Sequence, residues 1–264
     1  MLLVFRDVEN YMRVLITGAF GWTATAIIET LKQAGYEIIT LDLPSVVCPQ
    51  KAKQMSSRVV LGDVAKYETV NEAARFADVI IHLAVAVGNK DYLRPDVPFT
   101  TNVKGTYNIF EAARLNRISK VILMSSAAIH ISCSEKVTSD SGWRSSEGDD
   151  HLYDLTKRLQ ETIAQDFCET HQMTAIVLRA GHIVDGREYL DPKGRPLDSL
   201  DYARGGWVCR YDLANACLKA IEYPETGYQV FHIIGSKRAR DYFDVKRAEE
   251  ELKFRVVAQF EQYE

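Results

Sequence analysis

The chain has 264 residues, 47% of them hydrophobic, which is enough to bury one large core. A formal net charge of −4 with scattered basic residues argues against a nucleic-acid-binding protein. No apolar run reaches the roughly 20 residues of a membrane span or forms the core of a signal peptide. The five cysteines show no C-x-x-C pair and no metal-ligand spacing. We expect a cytoplasmic protein with reduced thiols, no metal, and no membrane or nucleic-acid partner.

Short β-rich runs alternate with helical stretches, a pattern typical of βαβ units and a parallel sheet. Strands are predicted at 13–17, 36–42, 58–63, 78–84, 120–126, 173–181 and 228–235. Helices are predicted at 22–35, 66–76, 99–116, 151–171, 211–223 and 242–254, with a polar loop at 127–150. No linker or repeat divides the chain. We therefore expect one α/β domain, 1–264, in which 182–210 and 236–264 form a small lobe.

The first predicted strand ends in a glycine-rich turn, TGAFGWTA at 17–24, directly before a helix. A pyrophosphate needs close backbone approach and free N–H groups at a helix N-terminus, and Gly18 and Gly21 leave that space. Ala24 replaces the third glycine of such turns. The turn predicts a dinucleotide site that also includes Phe20, Trp22 and Thr23.

Asp42 closes the second predicted strand, 24 residues after Gly18. A carboxylate there can accept both hydrogen bonds of an adenosine ribose, and it repels a 2′-phosphate. No Arg or Lys stands beside it at 43–45, so NAD is favoured over NADP. Asp63, followed by Val64, is a candidate for the adenine amino group; a solvated loop carboxylate is the alternative.

Tyr153 and Lys157 stand four positions apart on the predicted helix 151–171, so their side chains share one face. A lysine charge favours the phenolate, so a tyrosine with an ordinary pKa of about 10 can act as a base nearer neutrality. The spacing alone occurs by chance on many helices. Together with the glycine-rich turn and the serine pair at 125–126, it indicates a catalytic unit.

Several segments together resemble the short-chain dehydrogenase/reductase superfamily: TGAFGWTA, LGDV, HLAVAVG, NVKGTYNIFEAA, VILMSSAAIH and YDLTK, with Asp42. They look most like its extended branch, the NAD-dependent epimerase/dehydratase family, over residues 13 to about 235. The resemblance implies a Rossmann-like, doubly wound parallel sheet of about seven strands with a small C-terminal substrate-binding portion. It also implies a Ser-Tyr-Lys triad, in which Lys157 binds the nicotinamide ribose and lowers the pKa of Tyr153.

The resemblance puts the catalytic serine after the fifth strand. In the extended branch this residue stands four positions before an aromatic one, and His130 holds that position relative to Ser126. Ser126 is therefore the predicted catalytic serine, and Ser125 faces the nicotinamide or the core. Neighbouring strand residues point to opposite faces, so only one of the two can meet the substrate.

The same resemblance extends the cofactor site. Its further predicted members flank the fourth and sixth strands: Leu83, Ala84, Val85, Ala180, His182 and Ile183. Ala180 replaces a proline that the family normally carries. Asn102 matches the asparagine of N-x-x-G-T, with packing or a relay to the lysine as its role, or an ordinary helix N-cap.

Substrate candidates are His130, His182, Arg187 and Trp207. Arg195 and Arg204 are alternatives to Arg187 for binding a carboxylate, and Trp143 is a candidate for a lid. Three further residues are predicted to be structural: Arg179 in an ion pair, and His82 and His232 as satisfied core residues.

The favoured reaction is NAD-dependent oxidation of a small hydroxylated substrate such as a sugar or sugar acid, because the compact layout resembles uronate dehydrogenases. Only 107 residues follow Lys157, and Ala127 and Ala128 stand where a dehydratase would carry Asp and Glu. A sugar epimerase is the second hypothesis and a non-catalytic NAD-binding sensor the third. Apolar stripes on helices 99–116 and 151–171 predict a homodimer.

Overall fold

The computed structural model describes residues 11–86, 94, 96–130, 136–141, 151–200 and 206–263. Its strands are β1 (Arg13–Thr17), β2 (Glu37–Asp42), β3 (Arg58–Leu61), β4 (Val79–His82), β5 (Lys120–Ser126), β6 (Thr174–Ala180), β7 (His182–Val184), β8 (Trp207–Cys209) and β9 (Tyr228–Ile233). Seven form a parallel sheet in the order β3-β2-β1-β4-β5-β6-β9. The order reverses between β1 and β4, where doubly wound sheets open a crevice at their carboxyl ends. The predicted fold class is confirmed.

Helices cover both faces of this sheet: α1 (Trp22–Gln33), α2 (Pro49–Met55), α3 (Tyr67–Ala74), α4 (Gly105–Leu115), α5 (His151–His171), α6 (Arg210–Glu222) and α7 (Lys246–Glu250). Strand residues alternate between the two core layers. Val14 and Ile16 pack in the layer of α1 and α6, whereas Leu15 packs in the layer of α3, α4 and α5. Of the helices described, none is long and apolar enough to cross a bilayer.

Two predicted helices differ from the structure. The helix predicted at 99–116 begins with a turn, Asp96–Pro98, and a π-helical segment, Phe99–Lys104, before α4. The helix predicted at 242–254 is wrong, because only Lys246–Glu250 is helical. Lys253 has a φ of 59°, a left-handed conformation that a right-handed helix cannot contain.

A small parallel sheet of β7 and β8, absent from the prediction, carries the C-terminal packing. Trp207 on β8 is 1% exposed, and its ring meets the edges of Phe260 and Tyr263, both at 5.9 Å between centroids. Val184 and Leu197 are buried in the same cluster. The ends of the two predicted lobe segments therefore share one apolar core.

Candidate active site

The glycine-rich turn passes directly against the segment that follows β4. Gly18 has a φ of 64°, and a Cβ atom there would lie 2.9 Å from the Cα of Ala84. Gly21 is the N-cap of α1, and its N–H donates to the Gly18 carbonyl at 3.1 Å. Around the turn, Phe20, Trp22 and Thr23 are half-buried. The turn therefore gives the close backbone approach that a pyrophosphate requires.

Asp42 lies beside this turn at the end of β2. Its Oδ2 accepts from the N–H of Phe20 and its Oδ1 from the N–H of Leu43, both at 2.8 Å. Asp63 accepts from the N–H of Ala65 at 2.9 Å, in a loop whose Val64 side chain is buried. Asp42 is therefore placed for a ribose next to the pyrophosphate turn, while Asp63 stabilises its own loop.

Asn102 ties the segment after β4 to helix α5. Its Oδ1 accepts from the N–H of Ala86 at 2.7 Å, and its Nδ2 donates to Thr156 Oγ1 at 2.9 Å. The Thr156 hydroxyl in turn donates to the Tyr153 carbonyl at 2.8 Å. Asn102 is fully buried inside the π-helical segment, so the N-cap alternative is wrong. Its amide reaches Thr156 rather than Lys157.

Lys157 and Tyr153 meet the end of β5. The Lys157 ammonium donates to the Met124 carbonyl at 2.8 Å and lies 5.7 Å from the centre of the Tyr153 ring. Burial lowers the pKa of Lys157 to about 8, although the Glu161 carboxylate acts in the opposite direction. Met124 stands two residues before Ser126 on β5, so this hydrogen bond holds the Lys157 ammonium against the strand that ends in Ser126.

The two serines occupy different environments. Ser125 is buried and donates to Glu161 Oε1 at 2.5 Å, within a cluster that also holds Arg179. Arg179 forms a bidentate pair with Glu161, at 3.0 Å from Nε and 2.8 Å from Nη2, which confirms its predicted structural role. Ser126 is half-buried, and its Oγ accepts from the N–H of Ala128 at 3.1 Å. Ser125 therefore belongs to the core, and Ser126 is the more accessible of the two.

The segment after β6 runs beside Ser126. Ala180 pairs with Ser126 across the sheet. His182 is exposed at the start of β7, and Ile183 is half-buried. Leu83, Ala84 and Val85 are half-buried after β4. The predicted cofactor residues thus lie along the carboxyl ends of β1 to β6, apart from Asn102 and Lys157, which lie on helical segments.

His130 and His232 form an unusual buried pair. Their rings lie 5.9 Å apart, and none of the four ring nitrogens has a hydrogen-bond partner within the described chain. Burial lowers the pKa of His130 to about 4 and that of His232 well below its ordinary value. The prediction of a satisfied core residue is therefore wrong for His232. It is correct for His82, whose two ring nitrogens both have partners.

The remaining substrate candidates separate clearly. Trp207 is enclosed in the C-terminal core, so its predicted place as a cleft wall is wrong. Arg187 is exposed, lies 3.3 Å from the centre of the Tyr211 ring, and forms no ion pair with a described carboxylate. Arg195, in contrast, is paired with Asp191 at 2.8 Å. Arg204 and Trp143 lie outside the described residues. Of the two arginine candidates that the structure describes, Arg187 is the one without an ion-pair partner among the described carboxylates.

Sequence reasoning missed one residue at the turn. The Arg210 guanidinium donates to Asp185 Oδ2 at 2.9 Å and to the Trp22 carbonyl at 3.3 Å. It also lies 4.6 Å from the centre of the Trp22 ring. Arg210 thereby joins the C-terminal portion to the glycine-rich turn. The contact spans 188 positions, and no local motif signals it.

Comparison with known proteins gives consistent matches. The model of the NAD dependent epimerase/dehydratase family matches residues 14–196. L-arabinose 1-dehydrogenase (NAD(P)(+)) of Haloferax volcanii is 23% identical, over 80% of this chain and 82% of the relative. Uronate dehydrogenase of Pseudomonas syringae pv. tomato is also 23% identical, over 86% and 76%. A solved dTDP-glucose 4,6-dehydratase of Streptomyces venezuelae superposes with a TM-score of 0.77 at 20% identity, covering 95% of this chain and 94% of that one.

Proposed function

The chain belongs to the NAD dependent epimerase/dehydratase family, and from that premise we propose that it oxidises a hydroxyl of a small sugar or sugar acid with NAD. Membership confirms the predicted enzyme class and the use of NAD. The observation that carries the proposal is the position of Lys157, bound to the Met124 carbonyl and close to the Tyr153 ring. This contact brings the i, i+4 pair of α5 to the strand that ends in Ser126.

The residues present suit NAD. Gly18 and Gly21 leave room for the pyrophosphate, and the Asp42 carboxylate stands beside them for the adenosine ribose. No basic side chain stands beside Asp42 at 43–45 to receive a 2′-phosphate. The further proposed contacts are Phe20, Trp22, Thr23, Asp63, Val64, Leu83, Ala84, Val85, Asn102, Ser125, Lys157, Ala180, His182 and Ile183. Asn102 and Ser125 act from behind the site, because both are buried.

In the proposed mechanism, bound NAD supplies the hydride acceptor. Tyr153, as phenolate, takes the proton of the substrate hydroxyl, and its pairing with the Lys157 ammonium favours that charge. Ser126 donates a hydrogen bond to the substrate oxygen as charge shifts onto it. Lys157 also donates to the nicotinamide ribose, since one N–H bonds Met124 and an ammonium has three.

A dehydrogenase is favoured over other enzymes of the family. Ala127 and Ala128 follow Ser126, so the acid–base pair expected of a dehydratase is missing at that position. The two relatives described above, each matching at least 80% of the chain, act on L-arabinose and on a uronate by name. Arg187, exposed and stacked on Tyr211, is our candidate for a substrate carboxylate, with the exposed His182 as a lesser candidate. His130 is as deeply buried as Trp207, so its predicted contact with the substrate is wrong for the same reason. A sugar epimerase is the second candidate.

Two assembly features belong to the same proposal. We propose a cytoplasmic homodimer that pairs α4 and α5, because Tyr107, whose ring meets Phe167 edge to face, is 51% exposed and Leu115 is 54% exposed. We also propose a single domain with a small substrate lobe at 182–210 and 236–264. Light scattering tests the dimer: a mass of about 60 kDa, twice the 29.9 kDa chain, supports it, and a monomer at micromolar concentration rejects it.

Incubation with NAD and a panel of aldoses and uronic acids tests the reaction. Net NADH formation, followed by the absorbance of reduced nicotinamide at about 340 nm, supports the dehydrogenase. Conversion of the sugar without net NADH identifies an epimerase. Saturable NAD binding with no conversion of any sugar would support a sensor and overturn the proposal.

A further inference from the structure

One buried imidazole joins four elements of the fold. His82 ends β4 and is 1% exposed. Its Nδ1 lies 2.7 Å from Thr17 Oγ1 on β1, and its Nε2 lies 3.1 Å from Thr106 Oγ1 on α4. The Thr106 hydroxyl also accepts from Gln160 Nε2 on α5 at 2.6 Å. The chain of contacts therefore runs from the glycine-rich turn to the helix of Tyr153 and Lys157.

The hydrogen bonds of Thr17 show which ring nitrogen of His82 carries no hydrogen. Thr17 Oγ1 accepts from the backbone N–H groups of Leu83 and Ala84, both at 3.2 Å. A hydroxyl oxygen has two lone pairs and one hydrogen, so both acceptor positions are filled. Its hydrogen must then be donated to His82 Nδ1, which is therefore the unprotonated nitrogen.

The Thr106 end gives the same result independently. Its hydroxyl donates to the Asn102 carbonyl at 2.6 Å, since a carbonyl oxygen can only accept. One lone pair already accepts from Gln160. The second lone pair of the Thr106 oxygen can only accept a hydrogen bond, so His82 Nε2 must carry the hydrogen. Both ends thus assign the same Nε2–H tautomer, which makes the network directional along its whole length.

The ring also stays uncharged. Complete burial, with a smaller contribution from the Lys157 ammonium, lowers the pKa of His82 to about 3. A neutral imidazole keeps one donor and one acceptor, which is what this network requires. His82 therefore has the same hydrogen-bonding pattern throughout the working range of a neutral-pH enzyme.

The two ends of the network hold different parts of the proposed site. Thr17 directly precedes Gly18, which lies against Ala84 with no room for a Cβ atom. Gln160 lies one turn beyond Lys157 on α5. We propose that His82 is a positioning residue, fixed as the Nε2–H tautomer, that holds the NAD-binding turn against the helix carrying Tyr153 and Lys157. This inference rests on the proposed function for its kinetic consequences only.

Two substitutions of His82 can each remove one of its two hydrogen bonds and keep the other. In His82→Asn the amide oxygen is as many bonds from Cα as Nδ1, so it can still accept from Thr17 but no longer reaches Thr106. In His82→Gln the amide nitrogen is as many bonds from Cα as Nε2, so it can still donate to Thr106 but leaves Thr17 without its acceptor. The two variants have similar volume and polarity, and they differ in which arm survives.

We expect opposite kinetic effects. His82→Asn should lower kcat about tenfold, the size of one buried hydrogen bond, and change the dissociation constant of NAD less. His82→Gln should raise the dissociation constant of NAD about tenfold and change kcat at saturating NAD less. NAD binding is followed by titration calorimetry, and kcat on the substrate that the sugar panel identifies. His232→Asn, the same change at another buried histidine, should lower Tm without separating the two constants.

Parallel losses in both His82 variants, matching their loss of Tm, would mean that the residue only supports the fold and would overturn the inference. If His82→Asn fails to fold, Thr106→Val removes the same hydrogen bond from outside the ring and should give the same loss of kcat. If His82→Gln fails to fold, Thr17→Val replaces it, although this change also frees the N–H groups of Leu83 and Ala84. The tautomer is checked on the unmutated protein by ¹⁵N NMR of labelled histidine. A His82 signal with the proton on Nδ1 would refute the inference even if no sugar is turned over, so its failure is distinct from that of the proposed function.

Discussion

The cofactor end of the sheet and the C-terminal portion are held together by different kinds of contact. Around the glycine-rich turn, positions depend on backbone approach and on buried, directional hydrogen bonds, as at Gly18 and His82. Around Trp207, they depend on aromatic packing and on ion pairs at the rim, such as Lys237 with Glu261 at 71% and 45% exposure. The stabilisation from apolar burial does not depend on direction, and exposed ion pairs contribute little to the free energy of unfolding. We therefore expect substitutions at the cofactor end to change chemistry, and those in the C-terminal core to change stability.

The largest effect should come from the C-terminal core. Trp207→Ala removes a fully buried indole, and we expect the free energy of unfolding to fall by about 3–5 kcal/mol in urea denaturation. The dissociation constant of NAD, measured well below the unfolding transition, should change little. Trp22→Ala, at the half-buried tryptophan of the turn, is the matched control. It should weaken NAD binding and change the free energy of unfolding little. If Trp207→Ala weakened NAD binding while stability was preserved, the distinction between the two regions would fail.

The next effect concerns chemistry alone. Tyr153→Phe should cut turnover by about 10² or more through loss of the base, with NAD affinity and Tm nearly unchanged. Tyr228→Phe is the control, because the Tyr228 hydroxyl bonds Glu161 at 3.3 Å in the core cluster rather than at the proposed triad. Turnover that survives in Tyr153→Phe would show that the base is a different residue.

A smaller effect separates the two dinucleotides. Asp42→Ala should narrow the preference for NAD over NADP by about tenfold, since it removes both a ribose acceptor and a repulsive charge. Asp63→Ala, at the neighbouring strand end, should leave that ratio as it is. Fluorescence titration with both cofactors measures it. An unmutated protein that preferred NADP would contradict the assignment of Asp42.

The smallest effect is a pH dependence. Because the pKa of Lys157 lies near 8, its charge is lost as pH rises through that value, and NAD affinity should fall about fivefold between about pH 7 and 9. The folded-state pKa is below that of a free lysine, about 10.4, so the unfolded chain binds more protons between the two values. The titration of Lys157 therefore makes the free energy of unfolding rise with pH over the same range in which NAD binding weakens. Lys157→Met should bind NAD weakly at every pH. If NAD affinity fell as steeply with pH in this variant as in the unmutated protein, Lys157 would be excluded as the cause of the pH dependence.

The difference between local patterns and contacts set by the whole fold explains how much of the structure could be predicted from the sequence. β5 and α5 follow their predicted bounds, 120–126 and 151–171, because a short apolar run buried on both faces and a long amphipathic pattern are both local signals. β7 and β8 have three residues each, too few to show a period. Lys253 excludes a helix through residue 254 by a backbone angle that its side chain does not predict.

The site shows the same limit. The i, i+4 spacing of Tyr153 and Lys157 is local, so their shared face could be predicted. The burial of Trp207 and the absence of described partners for His232 depend on what distant segments bring to them. The contact of Arg210 with Trp22 joins residues 188 positions apart. Such contacts follow from the closed fold and have no counterpart in a local pattern.

The π-helical segment Phe99–Lys104 makes chain length, rather than residue type, the sensitive variable at one place. Within it the N–H of Gly105 reaches the Thr100 carbonyl, five positions back, so the turn holds one residue more than an α-turn. Deleting a single residue here would let the segment relax to an ordinary helix. Because the wide turn absorbs the extra residue, the flanking helix would keep its phase, and the residues inside the segment would change face, carrying Asn102 away from Ala86. In a library of insertions and deletions, the loss of one residue here should therefore remove the contacts of Asn102 with Ala86 and Thr156 while leaving α4 in place.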